Sequence, residues 1–247
     1  MKTKRRIYVA DATLTAGQEL VLSDVHAHYL ATVLRLQSGD EVHLFNEQIG
    51  EWKTEIIENK KSKVCVQIVS QSRPPLPPPL SHLTLAFSPL KKDRTDFLVE
   101  KASELGVHAL QPIFTDHTQS ERVNIERLQT TAIEAAEQCD RLDIPKVSPA
   151  QKLTHYLSTL PKDAVIFLAA ERGDATPIAQ AFSPLSSLPP HIHFIIGPEG
   201  GFSEKEFEAF ARLPQLRPIR LGPRLLRAET AAAAVLSAFQ AIAGDWR

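Results

Sequence analysis

Hydrophobic positions in the first 72 residues occur in short runs that are typical of β-strands. The runs are rich in β-branched and aromatic residues, and turn-forming residues such as Gly17 and Gly39 separate them. One stretch with Leu30, Val33 and Leu34 at helical spacing interrupts the series. The predicted elements are strands at residues 7–9, 19–22, 41–45, 52–57 and 64–69 and a helix at residues 24–34. Together they predict a small β-barrel-like module.

A proline-rich segment at residues 73–80, RPPLPPPL, ends this pattern. Proline fixes φ and lacks an N–H, so five prolines in eight residues favour an extended linker. A proline-rich recognition motif is the alternative. The predicted organisation is a first domain at residues 1–72, a linker at 73–80 and a second domain at 81–247.

The hydrophobic pattern after residue 80 alternates between apolar strand-like runs and amphipathic helical segments. Strands are predicted at residues 82–88, 109–114, 164–170, 193–196 and 218–221, and helices at 93–105, 124–138 and 230–243. A further helix begins at Ser203, because Ser203 and Glu206 have the spacing of a capping box. Strands that alternate with helices predict an α/β domain with a parallel sheet.

Composition narrows the class of protein without naming a partner. The 28 basic and 29 acidic side chains give a net charge of −1, so overall charge gives no sign of nucleic-acid binding. Cys65 and Cys139 lie far apart and are expected to be free thiols. We find neither a secretory signal nor an apolar run long enough for a membrane span, which predicts a cytoplasmic protein.

Two glycine-bearing segments follow predicted strands and are the candidate ligand loops. Residues 197–203 read GPEGGFS, and residues 221–231 read LGPRLLRAETA. Ligands of open α/β sheets bind beyond the carboxyl ends of strands, where glycine lets the backbone approach a ligand. A tight turn without a ligand is an equally simple interpretation of the spacing alone. Neither loop has the glycine pattern of a dinucleotide site or a P-loop.

These segments resemble the signature motifs of the RsmE-type 16S ribosomal RNA uridine-N3 methyltransferases, which belong to the SPOUT class. The resemblance runs along the whole chain. It includes His28 with residues 33–36 and Gly39–Asp40, and the segments 101–107 (KASELGV) and 134–141 (EAAEQCDR). Leu225 and Ala228 depart from the family pattern, which has Ile and Thr there.

The resemblance implies a SPOUT-type α/β domain with a trefoil knot, and a PUA-like β-barrel domain that helps to bind RNA. It also implies a homodimer, S-adenosylmethionine as the methyl donor, and ribosomal RNA or the small ribosomal subunit as the partner. By matching position, the implied cofactor contacts are Leu168, Ala170, Glu171, Gly197, Pro198, Gly200, Gly201, Leu221, Gly222, Leu226, Arg227, Ala228, Thr230 and Ala231.

Methylation at N3 of uridine requires an unpaired base that loses its N3 proton. A carboxylate can take this proton, and the candidates are Glu199 and Glu229. Alternatively, a cation can stabilise the anionic ring, and the candidate is Arg227. A glutamate is a weak base unless burial raises its pKa, so we favour Arg227, with Glu229 two residues later orienting it.

Several basic residues are candidate RNA contacts, although a solvated surface charge is the simpler interpretation of each. They are Arg5, Arg6, Arg35, Lys91, Lys92 and Arg94. His28 is more simply a packed or capping side chain. The pairs His26/His28 and His191/His193 lack a convincing third ligand, so we expect no metal site.

Other functions remain possible at this point. The chain could be an RNA-binding relative without catalysis, a SPOUT methyltransferase acting on another base or on ribose, or an NAD- or ATP-using enzyme. The third alternative lacks a phosphate-binding glycine motif.

Overall fold

A computed structural model describes residues 4–10, 12–60, 63–120, 122–170, 174–185 and 187–247. The chain forms two compact units, Met1–Pro78 with Ala136–Ile144, and Pro79–Ala135 with Pro145–Arg247. The division after Pro78 falls within the proline-rich segment. Sequence patterns did not predict that Ala136–Ile144 belongs to the first unit.

The first unit is built on a five-stranded sheet of order β1-β3-β4-β5-β2. Its strands are β1 (Arg6–Tyr8), β2 (Glu19–Val21), β3 (Glu41–Asn46), β4 (Gly50–Lys60) and β5 (Lys63–Arg73). β1 pairs in parallel with β3, and the other pairs are antiparallel. Val42, Leu44, Ile56 and Val66 are fully buried in its core. The five strands predicted from sequence are therefore confirmed.

The predicted helix at 24–34 is helical, but it has two parts. Helix α1 (Asp24–His28) continues into a π-helical turn, Tyr29–Val33. The amide of Leu34 donates to the carbonyl of Tyr29, five residues earlier, which widens the turn. Arg35 follows with φ +55°, and the amide of Leu36 donates to Leu30 at 3.0 Å.

Arg6 was predicted to contact RNA, and this prediction is wrong. Its side chain is 1% exposed, and its Nε donates to Glu51 at 2.7 Å. The guanidinium also donates to the carbonyls of Ala136 and Arg141 and lies 4.0 Å from the centre of the Phe45 ring. Alternate residues of a strand face opposite sides, and Ile7 occupies the core. Arg6 therefore faces the other side of the strand, where residues 136–141 cover it.

The partner of Arg6 is the fully buried carboxylate of Glu51. Burial alone would raise the pKa of Glu51, but hydrogen bonds from Lys4, Arg6 and Ser72 outweigh burial and lower it to about 2. The carboxylate is therefore ionised near neutral pH and satisfied by several donors.

The second unit is built on a parallel sheet of order β11-β13-β10-β12-β6-β7-β8, with β9 also paired to β7. Its strands are β6 (His82–Phe87), β7 (Ala109–Phe114), β8 (Lys146–Val147), β9 (Gln151–Lys152), β10 (Val165–Ala169), β11 (Thr176–Pro177), β12 (His191–Ile196) and β13 (Leu216–Arg220). The predicted α/β domain with a parallel sheet is confirmed.

Among the described residues, six helices connect these strands or end the chain. They are α2 (Lys92–Glu104), α3 (Ile125–Gln138), α4 (Leu153–Thr159), α5 (Ile178–Phe182), α6 (Glu204–Ala211) and α7 (Ala228–Ile242). The predicted Asn124 cap of α3 is confirmed, because its side chain accepts from the amide of Arg127. α7 packs on the sheet through a cluster of buried aromatic rings, Phe167, Phe182, Phe194 and Phe239.

Parallel pairing determines where the site can lie. Neighbouring parallel strands end at the same edge, so the segments after β6, β7, β10, β12 and β13 meet there. The trefoil knot stays a prediction, because strand order and pairing do not describe how the chain is threaded. No helix in the described ranges is long and apolar enough to cross a membrane.

Candidate functional site

The segment between β12 and α6 is fixed at its helix end by hydrogen bonds. Ser203 accepts from the amide of Glu206 at 3.3 Å, and the Glu206 carboxylate accepts from the amide of Ser203 at 2.8 Å. The predicted capping box is therefore confirmed. The other oxygen of Glu206 accepts from the amide of Asp116, which ties this helix start to the segment after β7.

Two positions of the same loop require glycine, one because there is no room for a β-carbon and one because of its backbone conformation. A β-carbon at Gly197 would lie 2.7 Å from the Phe202 ring, which packs edge-on against Phe210. Gly201 has φ +70°, a conformation that residues with a β-carbon rarely adopt. The loop therefore presents mainly backbone groups.

The segment after β7 holds this loop from the side. Nδ1 of His117 lies 3.0 Å from the carbonyl oxygen of Gly200, and the Ser203 hydroxyl donates to Asp116 at 2.6 Å. His117 and Asp116 were not among the residues predicted from sequence. Their place directly after a predicted strand was the signal that could have identified them.

The segment between β13 and α7 forms the opposite side. Gly222 has φ +107°, with open space where a β-carbon would be. Arg227 is the N-cap residue of α7, and its carbonyl accepts from the amide of Ala231 at 2.8 Å. Its side chain is exposed and makes no ion pair with the described residues.

These two loops line one cleft of about 1460 Å³, together with the end of β10. The cleft is large enough for a ligand built from a nucleoside and an amino acid. The common cavity on which the site hypothesis depends is therefore present. Most predicted cofactor contacts line it, namely Ala170, Gly197, Pro198, Gly200, Gly201, Leu221, Gly222, Leu226, Arg227, Ala228 and Ala231.

Two predicted cofactor contacts among the described residues do not line the cleft. The Leu168 side chain is 1% exposed within β10, and Thr230 is exposed on the first turn of α7 but outside the lining. Glu171 lies outside the described residues.

Arg94, at the start of α2, links the two candidate carboxylates. It forms an ion pair with Glu199, and its Nε lies 3.8 Å from Oε1 of Glu229. Oε2 of Glu229 is buried and has no hydrogen-bond partner in the described ranges. Arg94 was predicted to contact RNA, but its charge is already opposed by two carboxylates.

The predicted orientation of Arg227 by Glu229 is not observed. The ion pair of Glu229 in the described structure is with Arg94. Residues two apart at a helix start point in different directions, whereas α2 brings Arg94 from a distant part of the sequence. The spacing of Arg227 and Glu229 therefore gave the wrong partner.

His193 is buried and placed for packing. Nδ1 of His193 lies 2.7 Å from the Tyr156 hydroxyl, and burial, together with His191 and His82, lowers the pKa of His193 to about 4. Burial also raises the pKa of Tyr156. Within the described ranges, no three His, Cys, Asp or Glu residues are grouped so as to hold a metal ion.

Both parts of the chain match the models of known protein families. Residues 77–240 match the family model of an RNA methyltransferase domain, and residues 26–69 match an RNA methyltransferase PUA domain. Ribosomal RNA small subunit methyltransferase E of Rickettsia conorii is 35% identical over 92% of this chain and 91% of its own.

Two solved structures are similar over nearly the whole chain. One is a ribosomal RNA small subunit methyltransferase E from Neisseria gonorrhoeae bound to S-adenosyl methionine. Its TM-score is 0.87, at 28% identity over 99% of this chain and 100% of that chain. A protein from Legionella pneumophila, solved with bound SAM, has a TM-score of 0.85, with 30% identity over 96% of this chain and 97% of that chain.

This chain has a parallel α/β sheet of SPOUT type, with a loop-lined cleft at its carboxyl edge, and a PUA-like unit. These features place it in the class of RNA methyltransferases. Within that class, the chain belongs to the family of ribosomal RNA small subunit methyltransferase E.

Proposed function

We propose that this chain transfers the methyl group of S-adenosylmethionine to N3 of a uridine in 16S ribosomal RNA. The observation that carries the proposal is the single cleft formed by both glycine-bearing loops in a chain of this family. A structural relative of the same family name binds S-adenosyl methionine. The match over the whole chain favours the same substrate over another base or ribose.

The cleft fits S-adenosylmethionine by size and by the chemistry of its lining. Gly197, Gly201 and Gly222 expose backbone groups that can bind the adenosine moiety without side-chain interference. When bound, the cofactor supplies a methyl group that its sulfonium has already activated. The chain then has to orient the two reactants, and orientation can contribute ~7–11 kcal/mol in favourable cases.

Arg227 is the proposed stabiliser of negative charge on the uracil ring. Arg227 lines the cleft, and its guanidinium has no carboxylate partner among the described residues. N3 gives up its proton, ultimately to water, and its electron pair forms the N–C bond as the S–C bond breaks. A cation near O2 or O4 stabilises the anion that precedes transfer. Glu199 and Glu229 are engaged with Arg94, which supports this route over proton transfer to either carboxylate.

RNA contacts are proposed at three exposed cations, Arg5, Arg35 and Lys91. Arg5 lies 3.9 Å from Asp40, a distance at which an exposed ion pair is weak and easily replaced by a phosphate. Arg35 makes no ion pair with the described residues.

We also propose that the protein is a homodimer and acts in the cytoplasm, where ribosomal RNA is its partner. Light scattering of the purified protein tests the first of these.

The test is methylation of small ribosomal subunits from a strain whose gene for this protein is deleted. The purified protein and labelled S-adenosylmethionine are added. The ribosomal RNA is then digested, and its nucleosides are separated and identified by mass spectrometry. We expect 3-methyluridine to appear with the wild-type protein and to be absent in the deletion strain. A methylated ribose, another methylated base, or no product would contradict the proposal.

A further inference from the structure

A second, smaller cavity shares Pro198 and Glu199 with the cofactor cleft. Its volume is about 300 Å³, and it is lined by residues that follow three neighbouring strands. Residues 89–92 follow β6, residues 119–120 follow β7, and residues 198–199 follow β12. It therefore lies at the same carboxyl edge as the cleft, and the β12 loop borders both.

The two cavities differ in size in a way that matches two different ligands. The small cavity is about a fifth of the volume of the cleft. It lies at the lower end of the range for small-molecule sites, ~300 Å³, which suits one pyrimidine nucleotide rather than the larger methyl donor.

The polar groups of the small cavity suit a pyrimidine nucleotide. Lys91 and Lys92 are exposed and make no ion pair with described residues, so they are available to a phosphate. Gln119 is also exposed, and its amide makes no hydrogen bond within the described ranges. The Ser120 hydroxyl donates to the Arg122 carbonyl at 2.9 Å, which leaves its oxygen free to accept.

We infer that this cavity receives the target uridine, with a uracil carbonyl on the Gln119 amide and the phosphate on Lys91 and Lys92. The inference rests on the proposed function and specifies its acceptor site. The amide N–H strengthens its hydrogen bond as the carbonyl that it contacts gains charge on loss of the N3 proton. Arg227, which lines the adjoining cleft, remains the cation proposed for the other carbonyl. Pro198 and Glu199 then border both reactants, as a direct transfer requires.

Gln119→Leu tests the base contact. We expect kcat for methylation of small subunits to fall by ~10- to 100-fold, because a donor to developing charge is removed. The dissociation constant of S-adenosylhomocysteine, measured by calorimetry, should stay within twofold of wild type. A kcat equal to wild type would overturn the base assignment.

The double variant Lys91→Gln/Lys92→Gln tests the phosphate contact. We expect KM for the small subunit to rise ~10-fold and the salt dependence of RNA binding to weaken, by a slope of ~0.7 per lost contact. Lys162→Gln is the matched control, since exposed Lys162 precedes β10 and so lies at the opposite edge of the sheet. If the double variant and the control behave alike, the phosphate assignment is wrong.

Photochemical cross-linking with 4-thiouridine 5′-monophosphate locates the base independently of catalysis. We expect cross-linked peptides from residues 89–92, 119–120 or 198–199, and no loss of cross-links on adding S-adenosylhomocysteine. Cross-links confined to residues 220–228 would overturn the inference. If the wild-type protein forms no methyluridine, the proposed function fails. If it is active while these variants behave normally, only the acceptor site fails.

Discussion

Arg35 is held in a backbone conformation that normally favours glycine. Its φ is +55°, and the hydrogen bond from Leu36 to Leu30 closes the helical segment around it. Leu30 and Leu36 are buried, whereas Arg35 is exposed. A residue with a β-carbon costs ~1 kcal/mol there, so Arg35 occupies this position at a cost to stability.

We therefore predict opposite effects of Arg35→Gly on stability and on RNA binding. Relief of the strain should make this variant more stable than Arg35→Ala by ~1 kcal/mol in the free energy of unfolding. Both variants should bind small-subunit RNA more weakly, and to the same extent. Denaturant unfolding and filter binding measure the two quantities. If RNA affinity is unchanged in both, Arg35 is only a surface residue.

Arg227 provides the second prediction at the residue scale. Arg227→Ala should lower kcat by ~10²–10³-fold, because a preorganised positive charge beside the developing anion is lost. Arg227→Lys should recover part of this loss, since it keeps the charge but lacks the planar fork. Cofactor affinity is measured alongside by calorimetry. Near wild-type transfer by the alanine variant, with the cofactor bound, would exclude the proposed role.

The loop after β13 depends on glycine for its shape. Gly222 and Gly39 both have positive φ, +107° and +91°, and both have open space where a β-carbon would lie. They differ in place, because Gly222 lines the cleft and Gly39 lies in a turn of the first unit.

Alanine at these two positions separates backbone strain from ligand binding. Gly222→Ala should weaken S-adenosylhomocysteine binding by ~10-fold or more, because relaxing φ moves the loop that borders the ligand. Gly39→Ala carries similar strain but should leave this affinity unchanged. Titration calorimetry on both variants gives the comparison. Equal affinities in the two would show that the loop tolerates the change.

Elements were predictable from sequence to the extent that their signals are local. Alternation, apolar runs and the Ser203–Glu206 spacing correctly gave the longer strands, the parallel sheet and the start of α6. The two-residue strands β8, β9 and β11 and the short helices α4 and α5 were missed. The burial of Arg6 was not predictable, because its partner Glu51 is 45 residues away. The pairing of Arg94 with Glu199 spans 105 residues and was missed for the same reason.

At the scale of the whole molecule, the two units have different buried ionisable groups. Glu51 in the first unit has its pKa lowered to about 2 from an ordinary 4.5. His193 in the second unit has its pKa lowered to about 4 from an ordinary 6.5. A carboxyl group with a lowered pKa stabilises the fold at pH values above its ordinary pKa. This stability is lost as the pH falls towards the lowered pKa. A histidine with a lowered pKa destabilises the fold below its ordinary pKa, because the unfolded chain binds the proton at a higher pH than the folded chain does.

We predict that the second unit loses stability between pH 6.5 and 4 and the first between pH 4.5 and 2. The chain has two tryptophans, Trp52 in the first unit and Trp246 in the second, so Trp246→Phe and Trp52→Phe each leave one reporter. Tryptophan fluorescence during thermal unfolding gives the melting temperature of each unit against pH. The double variant Tyr156→Phe/His193→Leu should remove the upper window alone. Two reporters that melt together at every pH would contradict the prediction.

The segment Pro198–Glu199 borders both cavities, and this has a consequence for inhibitor design. A compound that joins an adenosine group to a pyrimidine by a short tether would engage both cavities at once. Its second group would bind at the high effective concentration set by the tether, so its affinity would exceed that of either fragment. For an enzyme that has only the adenosine-binding cleft, the tethered pyrimidine would add no affinity. The compound would therefore bind selectively to a protein that has both cavities.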